Sequence, residues 1–394
     1  MSVLVVALQL VPLPIALHDM LSPHAAAVDR AIRFGERTGW QPLTLQPPST
    51  AIALFVDLLA LAVFWISRDA VAGGGVRPLA RTILGSGLVV SVVAIVVAAT
   101  NPPASHLVYG LFEPTDPSAR PYGPFINRNE MATWMLLALP LVIGYAVARG
   151  RRRSQAGADV VDATMVWFGG GAIAMLAALV FSLSRSGIIA AVAEAFCFIA
   201  LALKVSGQRR NAALAAGGIV AIAVLVALAM PRTSVLIARF DRTLTVGGAD
   251  ARTAIWRDTR SMIRDFPLTG VGAGAYPIGM LVYQQGSRLF FNNHAHDQYL
   301  QILAEGGALV AVPLAVAAFV FAGIVAGQLR ADRTAGYWIR AGAATGLVGV
   351  LLQSIWEVGL AAPANAVLFA AVCAVAIHRY DEDDHDRRSP GFSR

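Results

Sequence analysis

Apolar residues in this chain fall in long runs separated by shorter polar stretches. The runs occupy 1–17, 50–67, 79–99, 129–148, 163–183, 187–204, 211–230, 298–326, 338–358 and 361–378. Most have the length, about 17–25 residues, that carries a helix across a hydrocarbon layer ~30 Å thick. Backbone N–H and C=O groups in lipid must be satisfied within the segment, which selects helices. A transmembrane barrel would show short alternating segments instead. The pattern therefore predicts an all-α, polytopic transmembrane bundle of about ten spans. The first run is short for a crossing, with no basic segment ahead of it, and flows into Leu10-Val11-Pro12-Leu13-Pro14. It has no secretory-signal pattern and is consistent with a start inside a longer protein. The 298–326 run is long enough to tilt or to extend beyond the membrane.

The runs divide the chain into N-terminal transmembrane helices (1–230), one large loop (231–297), C-terminal transmembrane helices (298–378) and a tail (379–394). Every second connection is basic. Arg68, Arg77 and Arg81 form one such group, and Arg149, Arg151, Arg152 and Arg153 another. Lys204, Arg209 and Arg210, then Arg330 and Arg333, then the tail complete the series. Basic short loops stay in the cytoplasm, so the connections 18–49, 100–128, 184–187, 231–297 and 359–360 are expected in the periplasm. The 231–297 loop is also rich in arginine, but long loops escape the rule. Within it, Asp250 to Phe266 reads as an amphipathic helix with Ile255, Trp256, Thr259 and Ile263 on one side. Arg257, Arg260 and Arg264 recur at three- and four-residue spacing on another side. Pro267 and the GVGAG run should end that helix. The 18–49 stretch carries a weaker basic helix around Ala25–Gly39. The acidic and basic tail DEDDHDRR is expected to be solvated and disordered.

Composition sharpens this picture. The chain is 57% hydrophobic and 14% charged, with a mean hydropathy of +0.63. A soluble domain carries about 25% charged residues, so this chain cannot cover a soluble core. The net charge of +7 comes almost wholly from arginine. Those arginines sit between apolar runs, which argues for anionic lipid or diphosphate partners and against nucleic acid. Cys197 and Cys373 lie inside apolar runs, without disulfide or zinc spacing.

Four polar motifs carry candidate chemistry, and all fall on the face that charge assigns to the periplasm. Ser182-Leu183-Ser184-Arg185-Ser186-Gly187 joins two spans with almost no loop. A helix starting there offers free N–H groups and a positive dipole end. Ser184 or Ser186 can cap it, and Arg185 adds a forked cation suited to a diphosphate. A tight turn with a snorkelling arginine is the plainer alternative. Arg252 and Trp256 lie one turn apart on the loop helix, which would equally suit a solvated basic helix. His294-Ala295-His296-Asp297-Gln298-Tyr299 opens the 298–326 run. Neutral His296 can take a proton from a sugar hydroxyl. A His-x-His metal pair with Asp297, or a capping histidine, are the alternatives. Asn127-Arg128-Asn129-Glu130 opens another span, as a helix cap or a partner for sugar hydroxyls. Asp57 and Glu194 lie within spans, where ionisable groups are costly and often functional. Glu305 lies past His296 on the same run.

These residues resemble the O-antigen ligase/polymerase family of bacterial envelope glycosyltransferases. SLSRSG is similar to the family's Ser-x-Ser-Arg-x-Gly junction, and RTAIWRDTRSMIRDFPLTGVGAG to its Arg-x-x-x-Trp helix with the following Pro-Leu-x-Gly-x-Gly. HAHDQYLQILAEGG is similar to its His-Asn-x-Tyr-Leu-Gln-x-x-x-Glu-x-Gly segment, and FINRNEMATWMLLALPL to its Asn-x-Asn-x-x-Ala helix start. The early VPLP and WQPLTLQPPST stretches are similar to some exopolysaccharide members. The likeness runs from about residue 120 to 312. It implies a metal-independent, inverting transferase without cofactor, in the bacterial inner membrane with its site facing the periplasm. The donor would be an undecaprenyl diphosphate-linked glycan and the acceptor a glycan or lipid A core. Membrane lipids and other polysaccharide-assembly proteins are the remaining partners. Arg185 and Arg252 would grip the diphosphate and His296 would activate the acceptor. Ser184, Ser186, Asn127, Asn129, Trp256, His294, Asp297 and Tyr299 would line the substrate site. Asp297 departs from the family's usual Asn, placing a carboxylate next to His296 in sequence. The competing class is a transporter or flippase of an anionic lipid-linked glycan, which should show paired broken helices and internal repeats. Neither is visible in the sequence.

Overall fold

The computed structural model describes residues 2–32, 39–100, 107–108, 111–114, 119–205, 248–286 and 291–379. The expected 211–230 span, the start of the large loop and nearly all of the tail lie outside these residues. The described chain is helical, apart from a two-residue antiparallel ribbon in which β1 (Leu13–Pro14) pairs with β2 (Trp40–Gln41). The helices are α1 (Ser2–Gln9), α2 (Ile15–Leu21), α3 (Ala25–Ile32), α4 (Pro47–Gly74), α5 (Arg77–Thr100), α6 (Arg128–Gln155), α7 (Ala163–Phe181) and α8 (Arg185–Val205). They continue with α9 (Gly248–Asp265), α10 (Tyr276–Tyr283), α11 (Gln298–Ala331), α12 (Gly336–Gln353) and α13 (Pro363–Ile377). Among the described residues α4, α5, α6, α7, α8 and α11 are long and apolar enough to cross a membrane.

One expected span is corrected. The run 1–17 is not a single helix. Pro12 and Pro14 cannot donate to a helical ladder, and the chain breaks into α1, β1 and α2. At ~1.5 Å per residue, α1 is about 12 Å long, too short to cross. Its last residue, Gln9, is buried, and its amide donates to the carbonyls of Thr269 (2.7 Å) and Glu305 (2.9 Å). The expected 338–358 run is helical only over α12, and residues Ser354–Val358 leave that helix.

The chain forms two compact units. The first comprises Met1–Leu61, Ala238–Ala322 and Ser354–Val358, and the second Ala62–Ile237, Gly323–Gln353 and Gly359–Arg394. The second unit is built around α6, whose apolar face is buried nearly all round. Helices α5, α7, α8, α12 and α13 pack on it. Lipid offers no hydrophobic drive between helices, so close backbone approach has to supply the attraction. Here α6 and α12 meet through glycines. A Cβ on Gly342 would strike the Pro140 carbonyl, and one on Gly144 the Trp338 carbonyl. Some polar side chains inside pair across helices. Thr133 Oγ1 lies 2.7 Å from Gln353 Oε1, and Gln353 Nε2 donates to the Asn129 carbonyl at 3.1 Å.

The first unit has a different core, in which Met262 and Phe266 of α9 meet Tyr276 and Met280 of α10, Val28 of α3, and Ala304 of α11. The inward face of α9 is Asp258, Thr259, Met262 and Phe266, while Arg257, Arg260 and Arg264 are exposed. Burial raises the Tyr276 phenol above its ordinary range, and its hydroxyl pairs with Thr259 at 2.8 Å. The segment after α9 threads into a break in α11. Gly307 there is left-handed (φ 57°). The freed N–H groups of Ala308 and Leu309 donate to the Pro267 and Leu268 carbonyls, and Val271 and Gly272 donate to Ala304 and Glu305. Gly270 and Gly272 are also left-handed and press on the Glu305 backbone and Thr44. A Cβ fits neither the conformation nor the space, so the GVGAG run is fixed as the filler of a broken helix.

Candidate active site

In the first unit the site is built around the backbone of His296. This residue has φ 51°, a left-handed conformation that costs a non-glycine residue on the order of 1–3 kcal/mol. Its neighbours hold it there. The Ala295 carbonyl accepts a bond from Trp256 Nε1 (3.0 Å), and the Ala295 N–H donates to Gln301 Oε1 (2.8 Å). Gln301 is itself fixed by Glu305, its Nε2 donating to Oε1 at 2.7 Å. After His296, Asp297 caps α11, its Oδ1 accepting the N–H groups of Tyr299 (2.9 Å) and Leu300 (3.0 Å). The Asp297 carboxylate is thus committed to the helix start. Trp256 ties the loop helix to the histidine segment. His294 is half-buried and Tyr299 exposed on either side.

The carboxylate that faces His296 comes from elsewhere. Glu357 lies in the segment after α12, and that segment reaches α11 through the bond from Gln298 N–H to the Ser354 carbonyl (2.8 Å). Glu357 Oε1 accepts from Arg252 Nη2 at 2.8 Å, and Oε2 lies 3.8 Å from His296 Nδ1. Its side chain is only 5% exposed, against 29% for Arg252 and 40% for His296. A buried carboxylate needs a charge-assisted partner, and Arg252 supplies it. The result is one buried anion joining a cation and an imidazole that both reach solvent. Glu357 is not among the residues the motifs point to. Its signal was an acidic residue inside the 338–358 apolar run, the same feature that singled out Asp57 and Glu194.

The other expected residues belong to the second unit. The α7–α8 junction turns on Leu183, again left-handed with φ 52°. Among described non-glycine residues, only Leu183 and His296 have positive φ, and each lies in one of the motifs. Ser182 Oγ donates to the Leu179 carbonyl (2.6 Å) and accepts the Ser184 N–H (3.2 Å). Ser184 Oγ accepts the Gly187 N–H (3.2 Å) and lies 3.3 Å from Ser186 Oγ, so Ser184 is the cap. Both serines are buried, and a Cβ on Gly187 would press on Ala132 of α6. Arg185 is the first residue of α8 and half-buried. Asn127 caps α6, its Oδ1 accepting the Asn129 N–H at 2.9 Å. The structure thus brings Arg252, Trp256, His296, Asp297 and Tyr299 into one unit. It gathers Asn127, Asn129, Ser184, Arg185 and Ser186 in the other.

These features define an all-α, polytopic membrane protein with a basic and imidazole-bearing site beside a broken helix. Residues 170–315 match the O-antigen ligase family model, so that segment is similar to the O-antigen ligase/polymerase family. The match supports, at the level of that family, a membrane glycosyltransferase-type enzyme of polysaccharide biosynthesis. No curated protein matches the chain. The matched segment holds Arg185, Arg252, Trp256 and His296; Asn127, Asn129 and Glu357 lie beyond it.

Proposed function

We propose that this chain is an inverting, metal-independent transferase of the bacterial inner membrane. It moves a glycan from undecaprenyl diphosphate to a sugar hydroxyl on the periplasmic side, as a polysaccharide polymerase or O-antigen ligase. The observation that carries this reading is the Arg252–Glu357–His296 constellation, whose arginine and histidine lie within the matched segment. Glu357 faces Nδ1, which favours a proton on that nitrogen and leaves Nε2 basic. In the reaction the acceptor oxygen forms a bond to the anomeric carbon as the bond to the diphosphate oxygen breaks. The acceptor proton passes to His296 Nε2, and the electron pair leaves with the diphosphate. Arg252 binds that leaving group and stabilises its charge, the part a metal plays in many transferases, and the family resemblance gives Arg185 the same role. Trp256 and Asp297 hold the histidine segment. His294, Tyr299, Ser184, Ser186, Asn127 and Asn129 complete the substrate contacts.

The test is reconstitution of the purified protein with a lipid diphosphate-linked repeat unit, with and without lipid A core. A ladder without core means polymerase; a single shift on core means ligase. Glu357→Gln keeps the shape but removes the charge. It should lower kcat by about 10²-fold or more, the scale of a displaced general base. Product formation unchanged in Glu357→Gln and His296→Ala would overturn the reading. So would activity abolished by a chelator, or loss of carrier-lipid crossing alone, the mark of a flippase.

A further inference from the structure

A groove of about 500 Å³ lies between α6 and α7 in the second unit, apart from every residue assigned above. Its walls are apolar, with Ile143 and Val147 from α6 facing Phe168, Gly169 and Ile173 from α7, and Arg151 lines one end. Two of its neighbouring arginines are already matched. Asp162 pairs with Arg149 at 2.5 Å and Arg153 at 3.4 Å. Arg151 has no carboxylate partner among the described residues, and its guanidinium lies 4.5 Å over the Trp338 ring. Stacking of this kind fixes a cation while leaving its donors available. The groove therefore presents an apolar slot with one uncompensated positive charge at its mouth, the complement of a chain bearing an anionic head.

We propose that this groove holds an acyl chain of an anionic phospholipid, with its phosphate on Arg151. The position separates it from the donor site. The groove follows α7 from Met165 to Leu176, with Arg151 at the start of that helix, whereas Arg185 follows its end. The 19 residues of α7 span about 28 Å, so the two arginines stand at opposite faces of the membrane. The ligand is a lipid of the leaflet that the basic loop faces.

The purified full-length chain in detergent micelles is titrated with dioleoylphosphatidylglycerol or dioleoylphosphatidylcholine, and bound lipid is counted by native mass spectrometry. The glycerol lipid should bind more tightly, and Arg151→Gln should erase that preference, a loss of about fivefold for one basic contact at a headgroup. Gly169 has no neighbouring atom within 4 Å of an added Cβ, so Gly169→Leu should fill the groove without displacing protein. It should remove one bound lipid of either kind while the melting temperature stays within a few degrees. Equal binding of the two lipids overturns the proposal, as does an unchanged preference in Arg151→Gln. So does an undiminished lipid count in Gly169→Leu. Displacement of the phospholipid by undecaprenyl phosphate would also sink it, by giving the groove to the carrier.

Discussion

The α6–α12 seam and the break in α11 use glycine and polarity in opposite ways. Where α6 meets α12, Gly144, Gly342 and Gly346 sit in regular helix and only remove bulk. Around α11, Gly270, Gly272 and Gly307 are left-handed and let a loop complete a broken helix. Two buried polar groups show a parallel contrast. Thr133 and Gln353 form a neutral pair that fastens helices. Glu357 is a buried anion shared between a cation and a histidine that both remain accessible. Regular packing stabilises the bundle; irregular backbone, supported on all sides, is where reactive groups can be held.

The sharpest contrast comes from paired substitutions. His296→Gly removes the imidazole but suits the left-handed backbone, so activity should fall about 10²–10⁴-fold with no loss of melting temperature. Gly342→Val does the reverse. Its added bulk strikes the Pro140 carbonyl and should cost at least ~1–3 kcal/mol, seen as a lower melting temperature in detergent. Activity should fall only in proportion to folded protein. Loss of stability in His296→Gly equal to that in Gly342→Val would erase the distinction between the two regions.

A gentler perturbation asks what holds the strained histidine. Trp256→Phe preserves the aromatic bulk but leaves the Ala295 carbonyl without its 3.0 Å donor. An unmet buried carbonyl costs about 1–3 kcal/mol, so the melting temperature should drop measurably. If that bond positions His296, kcat should fall several-fold with KM nearly constant. An unchanged kcat would reduce Trp256 to packing.

The bundle was legible because hydropathy reports lipid burial directly. All six spanning helices among the described residues start within three residues of the apolar runs that announced them. The 1–17 run failed because hydropathy counts apolar residues without weighing Pro12 and Pro14, whose missing N–H groups end the ladder. Arg252, His296 and Trp256 stood out from spacing and from family likeness, and the structure gathers them in one unit. Their connection did not. Glu357 lies 61 positions after His296, and no local pattern links a carboxylate at the end of one apolar run to an imidazole at the start of another. The sequence put Asp297 beside the ring, but the peptide geometry turns that carboxylate to the helix N–H groups instead.

The smallest expected effect lies at the start of α7, in the second unit. Asp162 is pulled down to about 2, first by its bond to Arg149 and then by the Met165 N–H it caps. A carboxyl depressed on folding adds stability above its unfolded value near 4 and loses it as pH falls through the folded value. Asp162→Asn keeps the shape of the cap but not the charge. Its melting temperature should lie slightly below that of the parent from pH 7 down to about 4, and the gap should close towards pH 2. A gap that does not close on acidification would mean that the cap, rather than the ion pair, is what Asp162 contributes. The start of α7 would then be fastened by neutral hydrogen bonding, as α6 and α12 are.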